Sequence, residues 1–299
     1  MIPRSAKAHL LLLGATFVWG ATFLVIKDAL ADSTPLVFNA VRMSIATVAL
    51  VAIFHRELRQ LPMGALRAGS VLGVLMWLGY EFQTAGLLYT SASKSAFVTG
   101  SSVVLVPLLA ATIWHRHVNP FTLAGVAAAL AGLYLLCVPA GQTLSPATLN
   151  RGDILTLGCS VAFAFQILFM GWSAQRYEFA HLVPVEIGVC AFFMLLSIPV
   201  AERDGFLRPT PMVLSALAVT ALIGTVACFI IQAWAQRFTP PTHTALIFSL
   251  EPVFAGVTSY LFAGERLGLR GALGGALILA GVLASELLGH VQKPEEELA

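Results

Sequence analysis

Four ionisable side chains lie inside stretches of the sequence that are otherwise apolar enough to cross a bilayer: Arg42, Glu81, Glu186 and Glu251. A charge near the centre of a membrane costs about 3 kcal/mol on insertion scales, so such residues usually bind a solute, carry a proton or pair with one another. These four side chains are therefore the first candidates for chemistry, and the helices that carry them must bring them together if they act as one site.

Glu251 lies about ten residues into its apolar run and is followed at once by Pro252. A carboxyl group at this depth could carry a proton or receive the amine of a substrate; alternatively, it is a structural glutamate that hydrogen-bonds a neighbouring helix. Pro252 has no N–H to donate to the carbonyl group of Phe248, and a carbonyl freed at this depth must face protein, water or substrate. The Glu-Pro pair therefore predicts a kinked stretch that faces a cavity, with a kink that serves packing alone as the alternative.

The composition indicates an integral membrane protein. Of the 299 residues, 58% are hydrophobic and only 11% are charged, whereas about 25% are charged in an ordinary soluble domain. The net charge is +2 and no basic tail or stripe is present, so nothing suggests nucleic acid. The four cysteines lie in apolar runs without CxxC spacing, which argues against a disulfide framework and a metal site. We expect no metal and no cofactor.

Ten runs are long enough to span the hydrocarbon core, for which a helix needs about 20 apolar residues. They cover residues 9–27, 35–54, 66–88, 95–114, 120–138, 152–172, 181–200, 212–234, 241–262 and 269–288. In the first half, Lys and Arg near the run ends favour a cytoplasmic N-terminus by six to two, and in the second half they oppose it by three to five. We follow the first half, because early helices usually dominate topology, and ten spans then return the C-terminus to the cytoplasm.

The two halves repeat each other with an offset of 149 residues, without a gap from about residue 80 to residue 132. The matched pairs include Gln83 with Gln232, Thr90 with Thr239, Gly125 with Gly274, and Gly132 with Gly281. Five spans in each half invert the second copy relative to the first, which is typical of transporters. We predict a first repeat at 1–138, a linker at 139–151, a second repeat at 152–289 and a cytoplasmic tail at 290–299.

Pro107 lies about one helical turn from the equivalent of Pro252 (252 − 149 = 103), which predicts two proline-kinked helices near the binding region.

Arg42 and Glu81 each lie about seven residues from the outer end of their runs, so a rise of 1.5 Å per residue places both roughly 10 Å below the outer surface. Opposite charges at equal depth would neutralise each other, and we predict a charge pair; the alternative is that Arg42 extends outward alone. Glu186 is about five residues from the cytoplasmic end of its run, which favours solvation at the interface over a functional role.

Several stretches carry a resemblance to a known family. They are WGATFLVIK in the first run, NAVRMSIA in the second, YEFQTAGLLYTSASKSAFVTGSSVVLVPLL in the third and fourth, and LIFSLEPVFAG in the ninth. In order and spacing these stretches resemble the EamA branch of the drug/metabolite transporter superfamily, over roughly residues 9–288. The resemblance implies ten helices in two inverted five-helix repeats around a central cavity, lined mainly by helices 1, 3, 4, 6, 8 and 9. It also implies export of amino acids, other metabolites or toxic compounds across a bacterial inner membrane.

Aromatic and polar side chains inside the runs would line such a cavity, and core packing is the alternative for the aromatic ones. The cavity residues that we predict are Trp19, Thr22, Trp77, Tyr80, Glu81, Phe163, Gln166, Phe248, Ser249 and Glu251. The predicted function is a secondary transporter, monomeric or weakly dimeric in the lipid bilayer, that exports small metabolites by alternating access. Its energy would come from the gradient of the substrate or from protons, since no P-loop GxxxxGK[ST] is present.

Three other classes of function are alternatives to export. A flippase for lipid-linked carriers, which relatives of this fold also include, would need basic residues at the level of the headgroups, and Arg42 alone supports it thinly. An intramembrane enzyme is disfavoured because no HExxH motif or Ser-His dyad in adjoining runs is present, so we expect no enzyme activity. A receptor or scaffold that transports nothing is the third alternative.

Overall fold

A computed structural model of the chain describes residues 3–90, 92–113, 115, 118–138, 141, 150–264 and 268–288, without the side chains of residues 92, 93, 263 and 286–288. Over these residues the chain is helical apart from its turns, and its β-type pairing is a single bridge between Ser33 and Leu207. The predicted linker at 139–151 lies outside the described residues except for Gly141, Asn150 and Arg151, and the predicted tail at 290–299 lies outside them entirely.

In the described residues, ten long helices follow one another, each on one of the ten predicted runs. They are α1 (Arg4–Ala29), α2 (Pro35–Ile53), α3 (Met63–Leu87), α4 (Ala92–Gly100 and Ser102–Ile113), α5 (Pro120–Cys137), α6 (Arg151–Ala174), α7 (Phe179–Ala201), α8 (Pro211–Ala235), α9 (Pro241–Phe248 and Glu251–Ala263) and α10 (Leu269–Leu288). In the described part of the chain, α1 to α9 are each long and apolar enough to cross a membrane, and α10 adds a shorter apolar stretch, Leu269–Ser285. A four-residue helix, His55–Leu58, lies between α2 and α3. The predicted all-α membrane fold is confirmed.

The helix ends follow from local sequence. Proline begins α2, α5, α8 and α9, where its fixed φ suits the first turn and its missing N–H costs no helical hydrogen bond. At the start of α6, Asn150 and Asp153 form a capping box in which each side chain accepts the backbone N–H of the other. Gly264 ends α9 in the left-handed conformation, with φ of 68°.

The outside of the bundle is apolar, as a lipid-facing surface requires. Val200 and Phe262 are both 79% exposed, and many other large apolar side chains share this outer surface. The largest buried cluster joins α2, α3, α7 and α8, with Met43, Leu72 and Ile187 among its fully buried members. Because lipid is as apolar as this core, close packing and hydrogen bonds must hold the helices together in place of a contrast in hydropathy.

A pair of glycine contacts between α5 and α10 relates the two halves. A Cβ atom added at Gly125 would lie 2.5 Å from the carbonyl oxygen of Gly281, and one added at Gly132 would lie 2.5 Å from that of Gly274. With the offset of 149, Gly125 corresponds to Gly274 (125 + 149) and Gly132 to Gly281 (132 + 149), so each contact is the image of the other. The helices therefore run antiparallel about a pseudo-two-fold axis, which confirms that the repeats are inverted.

Two helices are interrupted, and they are interrupted at equivalent places. The helical hydrogen bonding of α4 breaks at Ser101, and that of α9 breaks at Ser249 and Leu250 (250 − 149 = 101). Pro252 lies in the first turn of the second part of α9, in agreement with the predicted kink. Pro107 does not interrupt α4: the helix runs through it, and the break lies six residues earlier. A helix can bend at a proline without ending there, so the kink predicted at Pro107 stays a prediction.

Candidate functional site

Arg42 reaches from α2 to a segment of α8, Thr220–Ala227, that is wound as a π-helix. Its Nε donates to Thr225 Oγ1 at 2.9 Å, and that hydroxyl group donates to the carbonyl oxygen of Thr220 at 2.9 Å. Short π-helical segments are frequent at functional sites, because the extra residue in the turn redirects side chains. Arg42 is only 6% exposed and Thr225 is fully buried, so the guanidinium charge is held inside the bundle.

The charge of Arg42 acts on Tyr80 and Glu251. The Tyr80 hydroxyl group and the Glu251 carboxyl group both lie near the guanidinium group, and Arg42 and Glu251 do not form a direct ion pair. Arg42, Tyr80, Thr225 and Glu251, from α2, α3, α8 and α9, are called the central cluster below. A cation and a carboxyl group that lie near each other without an ion pair could bind the two ends of a solute that carries both charges.

Glu81 lies apart from Arg42, and the predicted pair between them is corrected. The Glu81 carboxyl group lies beside Ser197 and Trp77, and its Oε2 atom is buried without a hydrogen-bond partner. Equal depth along two helices does not determine the directions in which their side chains point. Here α3 directs Glu81 toward α7, whereas α2 directs Arg42 toward α8.

Aromatic rings surround the central cluster. The Trp19 indole lies 5.0 Å from the Phe248 ring and 5.6 Å from the Phe229 ring, and its Nε1 donates to the carbonyl oxygen of Gly224 in the π-helical segment at 2.7 Å. The ring of Phe163 contacts that of Tyr80 edge-on at 5.7 Å. The structure therefore brings Trp19, Tyr80, Phe163 and Phe248 of the predicted set together with Glu251.

These aromatic contacts obey the repeat. Phe229 is the counterpart of Tyr80 (80 + 149 = 229), and aligning Gly14 with Gly158 makes Phe163 the counterpart of Trp19 (19 + 144 = 163). The Trp19–Phe229 contact is thus the image of the Phe163–Tyr80 contact. The offset of 144 also relates the starts of α2 and α7 (35 + 144 = 179), and it makes Glu186 the counterpart of Arg42 (42 + 144 = 186).

Glu186 is fully buried, so its predicted solvation at the interface is corrected. Its Oε1 accepts a hydrogen bond from Gln166 Nε2 at 2.7 Å, and Gln166 Oε1 accepts one from Gln232 Nε2 at 3.2 Å. Gln232 Nε2 also donates to Gln236 Oε1 at 3.2 Å, and Gln236 Nε2 donates to the carbonyl oxygen of Ile167 at 2.9 Å. This amide chain joins α6, α7 and α8, and the predicted cavity residue Gln166 belongs to it.

A cavity of about 590 Å³ opens at the end of the bundle where α3 and α7 finish and α2 and α6 begin. Its lining is Leu36, Glu81, Thr84, Ala85, Leu88, Tyr89, Arg151, Ile154, Leu155, Ala201 and Glu202. Volumes of roughly 300–1,000 Å³ are usual for small-molecule sites. We call this the α3–α7 cavity; Glu81 stands at its wall, one helical turn from Trp77.

The other predicted residues occupy less central places. Trp77 donates from Nε1 to Ser197 Oγ at 3.0 Å and stacks on Phe193, so it faces α7. Thr22 and Ser249 donate to carbonyl groups of their own helices, those of Trp19 and Leu246. Sequence reasoning missed Thr225 and Phe229; the offset of 149 from Tyr80 could have identified Phe229, whereas no sequence signal marks the π-helical turn that presents Thr225.

Comparisons with known proteins agree with this architecture. The sequence model of the EamA-like transporter family matches twice, over residues 6–138 and 150–286. An uncharacterized transporter of Archaeoglobus fulgidus is 30% identical over 270 residues, covering 90% of this chain and 82% of the relative. The uncharacterized transporter YoaV of Bacillus subtilis is 20% identical, over 92% of this chain and 95% of its own. A solved crystal structure shares the fold, with a TM-score of 0.77 and 18% identity over 95% of this chain and 97% of its own. The chain belongs to the EamA-like transporter family and is a multi-pass membrane transporter.

Proposed function

We propose that the protein exports small organic molecules, such as amino acids, amines or drug-like compounds, across a bacterial inner membrane by alternating access. The observation that carries this proposal is the central cluster, in which Arg42 and Glu251 lie close together beside the interrupted helix α9. Interrupted helices at the interface of inverted repeats are where transporters bind their substrates. Both termini lie in the cytoplasm in this proposal, and the repeats 1–138 and 152–289 move against each other.

The central cluster suits a solute that is charged at one end and apolar at the other. The Arg42 guanidinium group would bind a carboxylate, and the Glu251 carboxyl group would bind an ammonium group. The rings of Trp19, Phe163 and Phe248 would contact the apolar remainder of the solute, and a cationic group can also lie over an aromatic face.

The α3–α7 cavity would be the exit for the exported solute. With a cytoplasmic N-terminus, the end of the bundle where α3 and α7 finish faces outward, and the cavity opens there. Glu81 at its wall has a buried oxygen without a hydrogen-bond partner, which could receive an ammonium group on the way out. Arg151 lines the same cavity and would repel a bare cation from its mouth.

The test is untargeted profiling of small molecules in cells and medium. Cells would express the wild type, Glu251→Gln, Glu57→Gln or an empty vector; Glu57 is the matched control, because it undergoes the same change at an exposed position. We expect one class of solute to accumulate outside with the wild type and Glu57→Gln, and at least about tenfold less with Glu251→Gln.

Two results would contradict parts of this proposal. Equal efflux by Glu251→Gln would leave export intact but remove Glu251 from the binding site. A protein folded in the membrane that exports no solute, but moves a lipid-linked carrier between leaflets, would replace export with flippase activity.

A further inference from the structure

Glu186 is a buried titratable group that the binding of a solute at the central cluster does not use. It is 0% exposed, its Oε1 has one hydrogen bond, from Gln166, and its Oε2 is buried without a hydrogen-bond partner. A carboxylate with one hydrogen bond and no adjoining cation pays several kcal/mol for leaving water. A carboxyl group that holds a proton avoids this cost, because it is neutral.

Among the described residues, Glu186 forms no direct ion pair with any of the ionisable groups around it. On α7 itself, the Cys190 thiol lies within range of both Glu186 and Arg42. On α3, Tyr80 lies close to Arg42, and Glu81 lies beside Ser197, eleven residues along α7 from Glu186. On α6 the neighbour is the uncharged Gln166, which is joined in turn to the amide of Gln232 on α8.

Charged groups elsewhere on the neighbouring elements lie away from Glu186. The short helix that packs on the start of α7 carries His55, Arg56 and Glu57, all of them exposed. At the other end of α7, Glu202 accepts hydrogen bonds from the backbone N–H groups of Leu36 and Val37.

The amide chain links Glu186 to the surface in a few steps. It passes from Gln166 to Gln232 and Gln236, and the backbone carbonyl group of Gln236 accepts a hydrogen bond from Gln175, which is exposed. Amide groups do not themselves carry protons. If α6 and α8 move apart, the side chains of Gln166 and Gln232 separate, and water can then reach the carboxyl group of Glu186. In the proposed orientation this end of α8 faces the cytoplasm.

We propose that Glu186 is the proton-binding site of the transporter, so that export of the solute is exchanged for entry of a proton. This proposal rests on the proposed function. Glu186 is neutral with its proton while it bonds Gln166. On the cytoplasmic side, water that enters between the amides takes the proton from Oε2, and the carboxylate left behind keeps its hydrogen bond from Gln166 and is hydrated by that water.

The first test uses no solute. Infrared spectra of the full-length protein in lipid vesicles would be compared for the wild type, Glu186→Gln and the exposed control Glu57→Gln. We expect the carbonyl band of a buried protonated carboxyl group in the wild type and in Glu57→Gln, and its loss in Glu186→Gln. Glutamine keeps the acceptor of the Gln166 hydrogen bond, so the fold should survive. A carboxyl carbonyl spectrum of Glu186→Gln that is identical to that of the wild type overturns the proposal, because any band of Glu81 or Glu251 is common to both.

The second test separates coupling from transport. Vesicles would be loaded with the solute identified by profiling, and a pH-sensitive dye would report proton movement. With one proton exchanged per solute, a gradient of one pH unit should drive about a tenfold concentration ratio in the wild type, since one pH unit is 1.36 kcal/mol. We expect a ratio of about one for Glu186→Gln, with solute–solute exchange kept within about twofold of the wild type.

Each contrary result has a distinct meaning. Wild-type exchange without a response to the pH gradient overturns the proton site and leaves the exporter standing. A folded Glu186→Gln variant that loses exchange as well overturns the proton site, because Glu186 would then position the helices. A wild type without solute exchange refutes the proposed function itself, whatever the infrared spectra show.

Discussion

Gly20 lies where α1 crosses the start of the second part of α9, beside the central cluster. A Cβ atom there would lie 2.7 Å from the carbonyl oxygen of Glu251, 2.7 Å from Cβ of Phe254 and 2.9 Å from the backbone nitrogen of Ala255. Two of these are backbone atoms and cannot rotate away. To reach an ordinary contact of 3.4 Å, α1 and α9 must separate by about 0.7 Å (3.4 − 2.7).

The size of the effect follows from this displacement. Adding atoms to a packed interior typically costs about 1–3 kcal/mol. Gly14 supplies a matched control on the same helix, because a Cβ atom added there meets nothing within 4 Å; alanine at such a helical position should stabilise by roughly 0.5–1 kcal/mol. We therefore expect the free energies of unfolding of Gly20→Ala and Gly14→Ala to differ by about 1.5–4 kcal/mol.

The assay uses the four cysteines, all free and three of them buried. A dye that fluoresces on reacting with thiols would follow thermal unfolding of the purified variants, and export would be measured with the solute identified by profiling. Because the displaced segment carries Glu251, Gly20→Ala should also lower export by about tenfold or more, whereas Gly14→Ala should leave it within about twofold. Identical unfolding and export for the two variants would refute the close approach of α1 to α9.

Two further substitutions probe contacts of charged groups. Thr225→Val removes the hydroxyl oxygen that accepts the hydrogen bond from Arg42. The free energy of unfolding, measured by thermal unfolding, should fall by about 1.5–3 kcal/mol, and export should also decrease. The control is Thr258→Val, because Thr258 donates to carbonyl groups of its own helix. If both substitutions lower stability and export equally, the hydrogen bond between Arg42 and Thr225 contributes nothing specific. Lys94→Met removes the cation that lies 2.5 Å from Oδ2 of Asp153, a residue that is only 2% exposed. The free energy of unfolding should fall by about 3 kcal/mol. Hydrogen exchange in the turn before α4 should then rise, and unchanged exchange would contradict this ion pair as the contact that anchors the turn.

The number, order and inversion of the helices could be predicted from the sequence, because they depend on one-dimensional patterns. Apolar runs of about 20 residues set the spans. The offset of 149 residues, together with an odd number of spans per half, requires an inverted second copy. The break in α9 was predicted for a local reason, since Pro252 has no N–H.

The partners of the charged side chains could not be predicted, because they depend on the directions in which the helices point. Depth along the membrane suggested that Arg42 pairs with Glu81, but rotation about the axes of α2 and α3 separates them. Counting residues from the end of a run suggested that Glu186 is solvated, but the surrounding helices cover it completely. The π-helical turn that presents Thr225 leaves no signature in the sequence, because its residues also suit an α-helix.

The two ends of the bundle are built from equivalent positions and closed by different chemistry. At the end that carries the α3–α7 cavity, Lys94 forms an ion pair with Asp153, and Thr90 donates to the same carboxylate at 2.7 Å. The counterparts of Lys94 and Asp153 at the opposite end are His243 (94 + 149) and His9 (153 − 144), whose rings lie stacked with their centroids 6.1 Å apart.

An ion pair and two stacked imidazole rings do not have the same free energy, and salt screens the attraction within the ion pair. In the proposed alternating access each end would open in turn, so the difference between these two contacts would bias the populations of the outward-open and inward-open states. The shared fold of the repeats would make the two states nearly equivalent. Residues that differ at matched positions, such as Glu186 against Arg42 and the histidines against Lys94 and Asp153, would therefore remove this equivalence.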